Sequence, residues 1–441
     1  MTKKTICLAM IVKNEAHIIL ETLKNLTKYF SFDYWVINDN GSTDGTQTII
    51  TEYFKELDIP GELDETPWTD FAFNRTVAFN IAYKKTDYVF VWDADDEIVG
   101  NFVMPTELTA DSYKFVFGNE TGLRYSRMQL FNNQLKWQYI GVLHEYPQCM
   151  EKDKPSDLIS GDYYFISGRK GSRSKDPNKY LKDAIILEYA FKEAYEKKDG
   201  IYNRYAFYTA QSYNWCNKNE KAIEYYKKVL TLNNYSQEKY YSCLQLYELY
   251  NKTKIEELGI YYLIESFNYE KTRIECIYRL VKHYCIKKMN EVAMLYYSLI
   301  KDYYENRYIS DNISNHLFAR KDEYDFYLPY YMIIVTERLK DYATFFKMYE
   351  IIFKQNYLGA GEWWIHNLFF NIKFGMHFLP TNPDFFISMI NFVINHINKG
   401  IVFTDENHKN IDKIITYYVD VLYYQLNESI KEKIKLNRSK E

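Results

Sequence analysis

The chain is short of the residues that punctuate turn-rich folds. Its 441 residues include 16 Gly and 9 Pro, which argues against a β architecture full of tight turns and for long helices. Paired cysteines are also missing. Cys7, Cys149, Cys216, Cys243, Cys276 and Cys285 form no Cys-x-x-Cys pair, and no His falls at zinc-ligand spacing. This excludes a thiolate zinc site and a disulfide scaffold, and predicts free thiols in a reducing compartment, the cytoplasm. An excess of positive charge is absent too. The 55 basic residues face 59 acidic ones, a net charge of -4, so no field draws the chain to nucleic acid or to an anionic membrane. No apolar run is long enough to span a bilayer, so no transmembrane segment is expected. The run Ile6–Val12 is short and is broken by Lys13-Asn14-Glu15; it reads as a first strand rather than a signal peptide.

What is present is more telling. The length allows two or three domains. Tyr88-Val89-Phe90-Val91-Trp92 runs directly into Asp93-Ala94-Asp95-Asp96-Glu97. A continuous apolar run of this length reads as a strand buried on both faces, as in the middle of a parallel sheet. Ligands of open α/β sheets sit beyond the carboxyl ends of the strands. Carboxylates gathered there suit a hard divalent ion, Mg²⁺ or Mn²⁺, with a phosphate completing its shell. The plainer reading is an acidic solvated turn.

The pattern around this strand is α/β. Thr5–Val12 is a strand, and Asn14 is placed to cap a following helix with Ile19, Leu20, Leu23 and Leu26 at helical spacing. Tyr34–Ile37 is a second strand. It enters the polar turn Asn38–Thr46, where Asp44 can cap the next helix, to about Leu57. A strand, a polar turn and a helix N-terminus make a phosphate or nucleotide site. The turn lacks both the Gly-x-Gly-x-x-Gly and the Gly-Lys-Ser/Thr patterns. A helix over Phe71–Lys84 carries Arg75, and the acidic strand follows. The order is β-α-β-α-α-β, half of a doubly wound sheet. Strands at Tyr113–Phe117, Arg127–Phe131 and Trp137–Gly141 would complete it.

Four pieces in this order resemble family 2 glycosyltransferases of the GT-A fold, a Rossmann-like, mostly parallel α/β fold. Cys7–Glu15 resembles the family's opening strand with its Lys-Asn-Glu ending. Asp39-Asn40-Gly41-Ser42-Thr43-Asp44-Gly45-Thr46 resembles its Asp-Asp-Gly-Ser-Thr-Asp-Gly-Thr turn. Trp68-Thr69-Asp70-Phe71 with Arg75 resembles a Trp-x-x-Phe-x-x-x-Arg-Asn block, with Thr76 where Asn is usual. Asp93-Ala94-Asp95 resembles the Asp-x-Asp motif. The resemblance implies a nucleotide-sugar donor, UDP-linked by expectation, held by Ala9, Ile11, Asn14, Glu15, Asp39, Arg75, Asp93 and Ala94. It implies Mn²⁺ or Mg²⁺ on Asp93 and Asp95. Gly141-Val142-Leu143-His144-Glu145 is similar to a Gly-x-Val-His-Glu stretch in relatives that carry helical repeats. It nominates Glu145 as the base of an inverting transfer, with His144 its neighbour or a metal ligand; Asp162 is the weaker alternative base. The family's usual late His is missing from Tyr164–Gly171, so either His144 substitutes or the metal has fewer protein ligands. Arg169, Lys170 and Arg173 make a basic loop that either closes over a diphosphate or is a solvated linker. A pyrophosphorylase is disfavoured because no Gly-rich basic loop follows Val12.

After about residue 170 the pattern becomes helix after helix. The expected division is 1–170 for the transferase domain and 171–441 for an all-α domain. Asn219–Tyr226 recurs as Asn290–Tyr297, an offset of 71 residues, close to two tetratricopeptide periods. The helical half is therefore expected to be a TPR-like repeat with a concave surface for a peptide, protein or glycan acceptor, or for a homodimer. The competing expectation is a non-catalytic repeat scaffold carrying a decayed transferase domain.

Overall fold

The computed structural model describes residues 3–119, 124–306 and 316–422. The chain divides into two compact units, residues 1–242 and 243–441. The first is a mixed, mostly parallel α/β sheet joined by helices; the second is all helical among the described residues.

The first unit opens with β1 (Ile6–Val12), α1 (Ile19–Tyr29), β2 (Tyr34–Asp39), α2 (Thr46–Glu56), β3 (Gly61–Asp64), α3 (Phe71–Ala82) and β4 (Tyr88–Trp92). Then come β5 (Glu97–Gly100), β6 (Ser112–Gly118), β7 (Arg124–Asn132), β8 (Trp137–Ile140), β9 (Tyr146–Cys149), β10 (Asp157–Ile159) and β11 (Tyr163–Ile166). The sheet order is β3-β2-β1-β4-β7-β6-β11-β5, with β10 also paired to β6 and with β8-β9 as a separate hairpin. The four strands β3, β2, β1 and β4 are parallel, while β7 joins β4 antiparallel. The carboxyl ends of β1, β2 and β4 therefore share one edge.

Side-chain alternation explains why the central strands are apolar throughout. Leu8, Met10, Phe90 and Trp92 enter one core beneath α1 and α2. Cys7, Ala9, Val89 and Val91 enter the opposite one, where Ala78, Phe79 and Ala82 of α3 pack. Each large side chain buried this way contributes about 2 kcal/mol. Burial also pushes the Cys7 thiol far up, and all six cysteines are free.

Three local expectations are corrected. The strand expected at Trp137–Gly141 does not complete the main sheet; as β8 it pairs with β9 in the separate hairpin. Asn14 does not cap α1. It adopts φ +57, and its side chain accepts from the Thr43 N–H at 2.8 Å, tying the β1 turn to the β2 turn. The expected β-α-β-α-α-β order gains the short strand β3. Asp44 does accept from Thr46 N at the start of α2, and it also accepts from Ala16 N across the turn.

Beyond the sheet, α4 (Lys179–Glu196), α5 (Tyr202–Trp215) and α6 (Asn219–Thr231) belong to the first compact unit. The sequence pattern turns helical near 170, but compactness groups these helices with the sheet. The second unit contains a buried ionic cluster in which Arg279 pairs with Glu323 and Arg273 with Glu275. Ala222 and Ala293, equivalent in the recurring segment, are both fully buried in helices. No described helix is long and apolar enough to cross a membrane.

Candidate active site

Two adjoining clefts open at the shared strand-end edge, both inside the first unit. One, of about 710 Å³, is lined by the end of β1 from Ile11 to Glu15, by Asn40, and by Trp68 to Phe71. The other, of about 680 Å³, is lined by Arg75, Asp93, Arg127, Tyr139, His144 and Glu145, among others. Phe71, Leu143, Arg173, Lys179 and Asp183 form their common wall.

Next in the chain to Asn40 of the first cleft, the Asp39 carboxylate is fully buried at the end of β2. Its Oδ1 accepts from Gly41 N, Ser42 N and Gln47 Nε2. Its Oδ2 is buried with no partner among the described residues. An acceptor atom left this way is costly unless a ligand donor reaches it. Beside it, the Asn40 and Asn74 amides both donate to Asn38 Oδ1. Ile11, Asn14 and Glu15 line this cleft. Ala9, Asp39, Ala94 and Asp95 line neither cleft; Ala9 and Ala94 are core residues.

The acids after β4 have divided roles. Asp93 takes Arg75 Nη2 on Oδ1 at 2.5 Å and Arg127 Nη2 on Oδ2 at 3.5 Å. Burial would raise its carboxyl, but the two guanidiniums outweigh burial and hold it below the usual range. Asp96 is nearly inaccessible and pairs with Arg127 at 2.8 Å; burial nonetheless lifts its carboxyl. Among the described residues, Asp95 accepts on Oδ2 alone, from the Gly171 N–H at 3.0 Å.

A loop after β11 crosses these acids. Gly168 N donates to Asp96, Gly171 N to Asp95, and Ser172 N to both oxygens of Glu15. Burial raises the Glu15 carboxyl, and nearby Asp95 adds to the rise. Gly168 lies so close to Asp95 that an added Cβ would stand 1.7 Å from its backbone oxygen; no larger residue fits there. The basic residues of the loop divide: Arg173 pairs with Asp183 and sits 4.9 Å over the Phe71 ring, while Lys170 offers its carbonyl to His17.

The turn from Gly141 (φ +106) to Glu145 presents the other group of expected residues. Arg75 Nε donates to Glu145 Oε1 at 2.7 Å, so one guanidinium holds Asp93 and Glu145 together. His144 stacks on Tyr208 with centroids 3.9 Å apart. Burial lowers its imidazole to about 3, helped by Arg204, Arg173 and Lys179. Asp162 lines neither cleft; its carboxylate takes the Asn101 amide.

Sequence reading missed Arg127, Lys114 and the α4–α5 residues Lys179, Asp183, Arg204 and Tyr208. Arg127 had a signal: a charge two residues before the buried run Gln129–Phe131 of the same strand. The helical ones had none without the fold.

Among the described residues, no group of three or more His, Cys, Asp and Glu side chains is arranged as a metal cage. A hard cation needs only one or two carboxylates when a phosphate completes its shell. Asp95 suits that role, since its second oxygen carries no hydrogen bond from the described residues and Glu15 adds negative charge nearby. Asp93 is occupied by two guanidiniums, and His144 faces cations.

Parallel strands ending in carboxylates beside a cleft define a nucleotide-type α/β site. Residues 7–111 match the model of glycosyl transferase family 2, which makes this stretch a glycosyltransferase domain, an enzyme domain. No curated protein matches the sequence. Among solved structures, the chain is similar to S. aureus TarS at 14% identity and TM-score 0.31, over 60% of this chain and 55% of that one. It thus spans about half the length of that TarS chain. A mannosyltransferase from Pyrobaculum calidifontis, solved with GDP-Man and Mn2+, is 14% identical at TM-score 0.33, over 70% and 89%. S. aureus TarS 1-349, solved with UDP-GlcNAc, is 14% identical at TM-score 0.30, over 71% and 95%.

Proposed function

We propose that the chain is an inverting glycosyltransferase that moves a sugar from a nucleoside diphosphate sugar, UDP-linked, to a hydroxyl of its acceptor. The observation that carries this reading is the pair of adjoining clefts at the strand-end edge: one is lined by Asn40, the chain neighbour of Asp39 with its unpartnered oxygen, and the other by Glu145. The nucleoside would lie along the ends of β1 and β2, with a base N–H on Asp39 Oδ2. The diphosphate would point to the common wall, where Arg173 and Lys179 stand.

In the transfer, Glu145 takes the proton of the acceptor hydroxyl as the hydroxyl oxygen attacks the anomeric carbon. The bond from that carbon to the diphosphate breaks on the opposite face. Base catalysis of this kind contributes roughly 10²–10⁴-fold. Arg75 keeps the Glu145 carboxylate in one orientation. A divalent cation, when bound, would be held by Asp95 and would neutralise charge on the departing diphosphate. We read the paired helices beyond the sheet as TPR-type.

The test is thermal stability against a panel of nucleotide sugars, with and without Mn²⁺, beside Asp95→Ala. A donor at a hundred times its Kd stabilises by about 2.7 kcal/mol. The expected result is a shift of several degrees with one donor, larger with Mn²⁺, and metal-independent in Asp95→Ala. No shift with any donor overturns the proposal.

A further inference from the structure

Six basic side chains line the 680 Å³ cleft against three carboxylates. The carboxylates are already matched: Asp93 and Glu145 by Arg75, with Arg127 also on Asp93, and Asp183 by Arg173. That leaves Lys114, Lys179 and Arg204. None of the three forms an ion pair with a carboxylate among the described residues. Lys179 is in the wall shared with the donor cleft, where burial and Arg173 lower its ammonium. Lys114 on β6 and Arg204 on α5 line only the cleft that holds Glu145.

Arg204 is fixed in place. Its Nε donates to the His144 carbonyl at 2.8 Å, and its guanidinium lies 5.3 Å from the Tyr146 ring centre and 4.9 Å from that of Tyr208. Its outer nitrogens have no acceptor among the described residues. A guanidinium held this way is prepared for a bidentate anion. The same cleft carries exposed rings. Tyr180 and Trp215 lie 5.0 Å apart, both more than a third exposed, and Tyr146 is exposed as well. Exposed flat rings with a polar edge are platforms for amphipathic, ring-shaped ligands.

We propose that the acceptor is an acidic glycan: a sugar chain bearing phosphate or carboxylate groups, read by Lys114 and Arg204 while its rings rest on Tyr180 and Trp215. This rests on the glycosyltransferase reading and names the acceptor class of that same site. Phosphate and carboxylate share the chemistry these cations recognise. A peptide would not need the exposed rings placed beside the cations.

The experiment is calorimetric titration of the full chain, with UDP and Mn²⁺ present, by four hexamers: glycerol phosphate-linked sugar, galacturonate, maltohexaose and hexaglutamate. UDP is titrated separately into the wild type, Lys114→Gln and Arg204→Gln. The expected result is that at least one acidic sugar binds tenfold or more tighter than maltohexaose and hexaglutamate. That margin should fall at least fivefold in each variant and shrink with added salt. Which acidic sugar binds distinguishes phosphate from carboxylate. Should Arg204→Gln fail to fold, Lys114→Gln alone decides. Equal binding of maltohexaose, or of hexaglutamate, overturns the proposal. So does UDP binding with no hexamer bound, which leaves the glycosyltransferase reading standing. An acidic sugar bound without any UDP binding overturns both.

Discussion

Replacing Arg75 by Met tests how the site is held together. The Arg75 side chain is 11% exposed and joins Asp93 (29% exposed) to Glu145 (12% exposed). Removing one partner of a buried pair costs about 3–5 kcal/mol, because the other charge stays buried. Two features reduce that here. Arg127 still reaches Asp93 at 3.5 Å, and the cleft admits water. We expect a loss of about 2–3 kcal/mol, which for a unit of this size lowers its melting midpoint by about 4–12 °C. Glu145 is the charge left without a guanidinium, so removing it too should restore part of the loss. The double variant Arg75→Met/Glu145→Gln should be more stable than the sum of the single losses by about 1 kcal/mol or more. The assay is urea denaturation of all four proteins, followed by the Trp signal. A loss under about 0.5 kcal/mol in Arg75→Met, or strict additivity in the cycle, refutes the view that this guanidinium neutralises both acids.

Two further outcomes follow from the same geometry. Glu145→Gln keeps the shape of the Arg75 contact and removes the proton acceptor, so sugar transfer should fall by roughly 10²-fold or more while the donor-induced thermal shift stays; transfer at the wild-type rate would remove Glu145 from the role of base. His144 is held neutral in the folded protein, its imidazole lowered to about 3, so the unfolded chain binds the extra proton below its ordinary pKa of about 6.5. Stability should therefore fall as pH drops below about 6.5. His144→Phe, which keeps a ring on Tyr208, should lessen that fall by on the order of 1 kcal/mol between pH 7 and pH 5; parallel curves for the two proteins would contradict the assignment.

The sheet was legible where burial is complete. Residues 6–12 and 88–92 are apolar at nearly every position because both faces meet a core, and that is a sequence signal. Strand β3 was not legible: it has four residues, Gly61–Asp64, at the edge of the sheet and only half buried. The gathering of Asp39, Asp93 and Asp95 at one edge follows from parallel strands and was readable. How each acid is used was not. Asp93 is held by Arg127, 34 residues later on an antiparallel neighbour. Asn14 lost its expected capping role to a contact with Thr43, 29 residues away. The cations opposite Glu145 come from α4 and α5, which local pattern assigns to the helical half.

These partners form a single chain of alternating charge. Glu145 is held by Arg75, Arg75 also holds Asp93, Asp93 meets Arg127, and Arg127 holds Asp96. Asp96 then receives the Gly168 N–H of the loop that also covers Asp95 and Glu15. The links are not equal in strength. Guanidinium–carboxylate contacts have charge on both sides, whereas the loop contributes neutral amides. Every bond between the loop and Asp95, Asp96 or Glu15 is of the weaker kind. Lifting the loop at Gly168–Gly171 and Ser172 would therefore free Asp95 and Glu15 and leave Arg75 and Arg127 paired, while Arg173 still ties the end of the loop to Asp183. The turn that carries Glu145 would stay fixed through Arg75 while the donor side is uncovered, so the acceptor side need not be rebuilt with each change at the donor side.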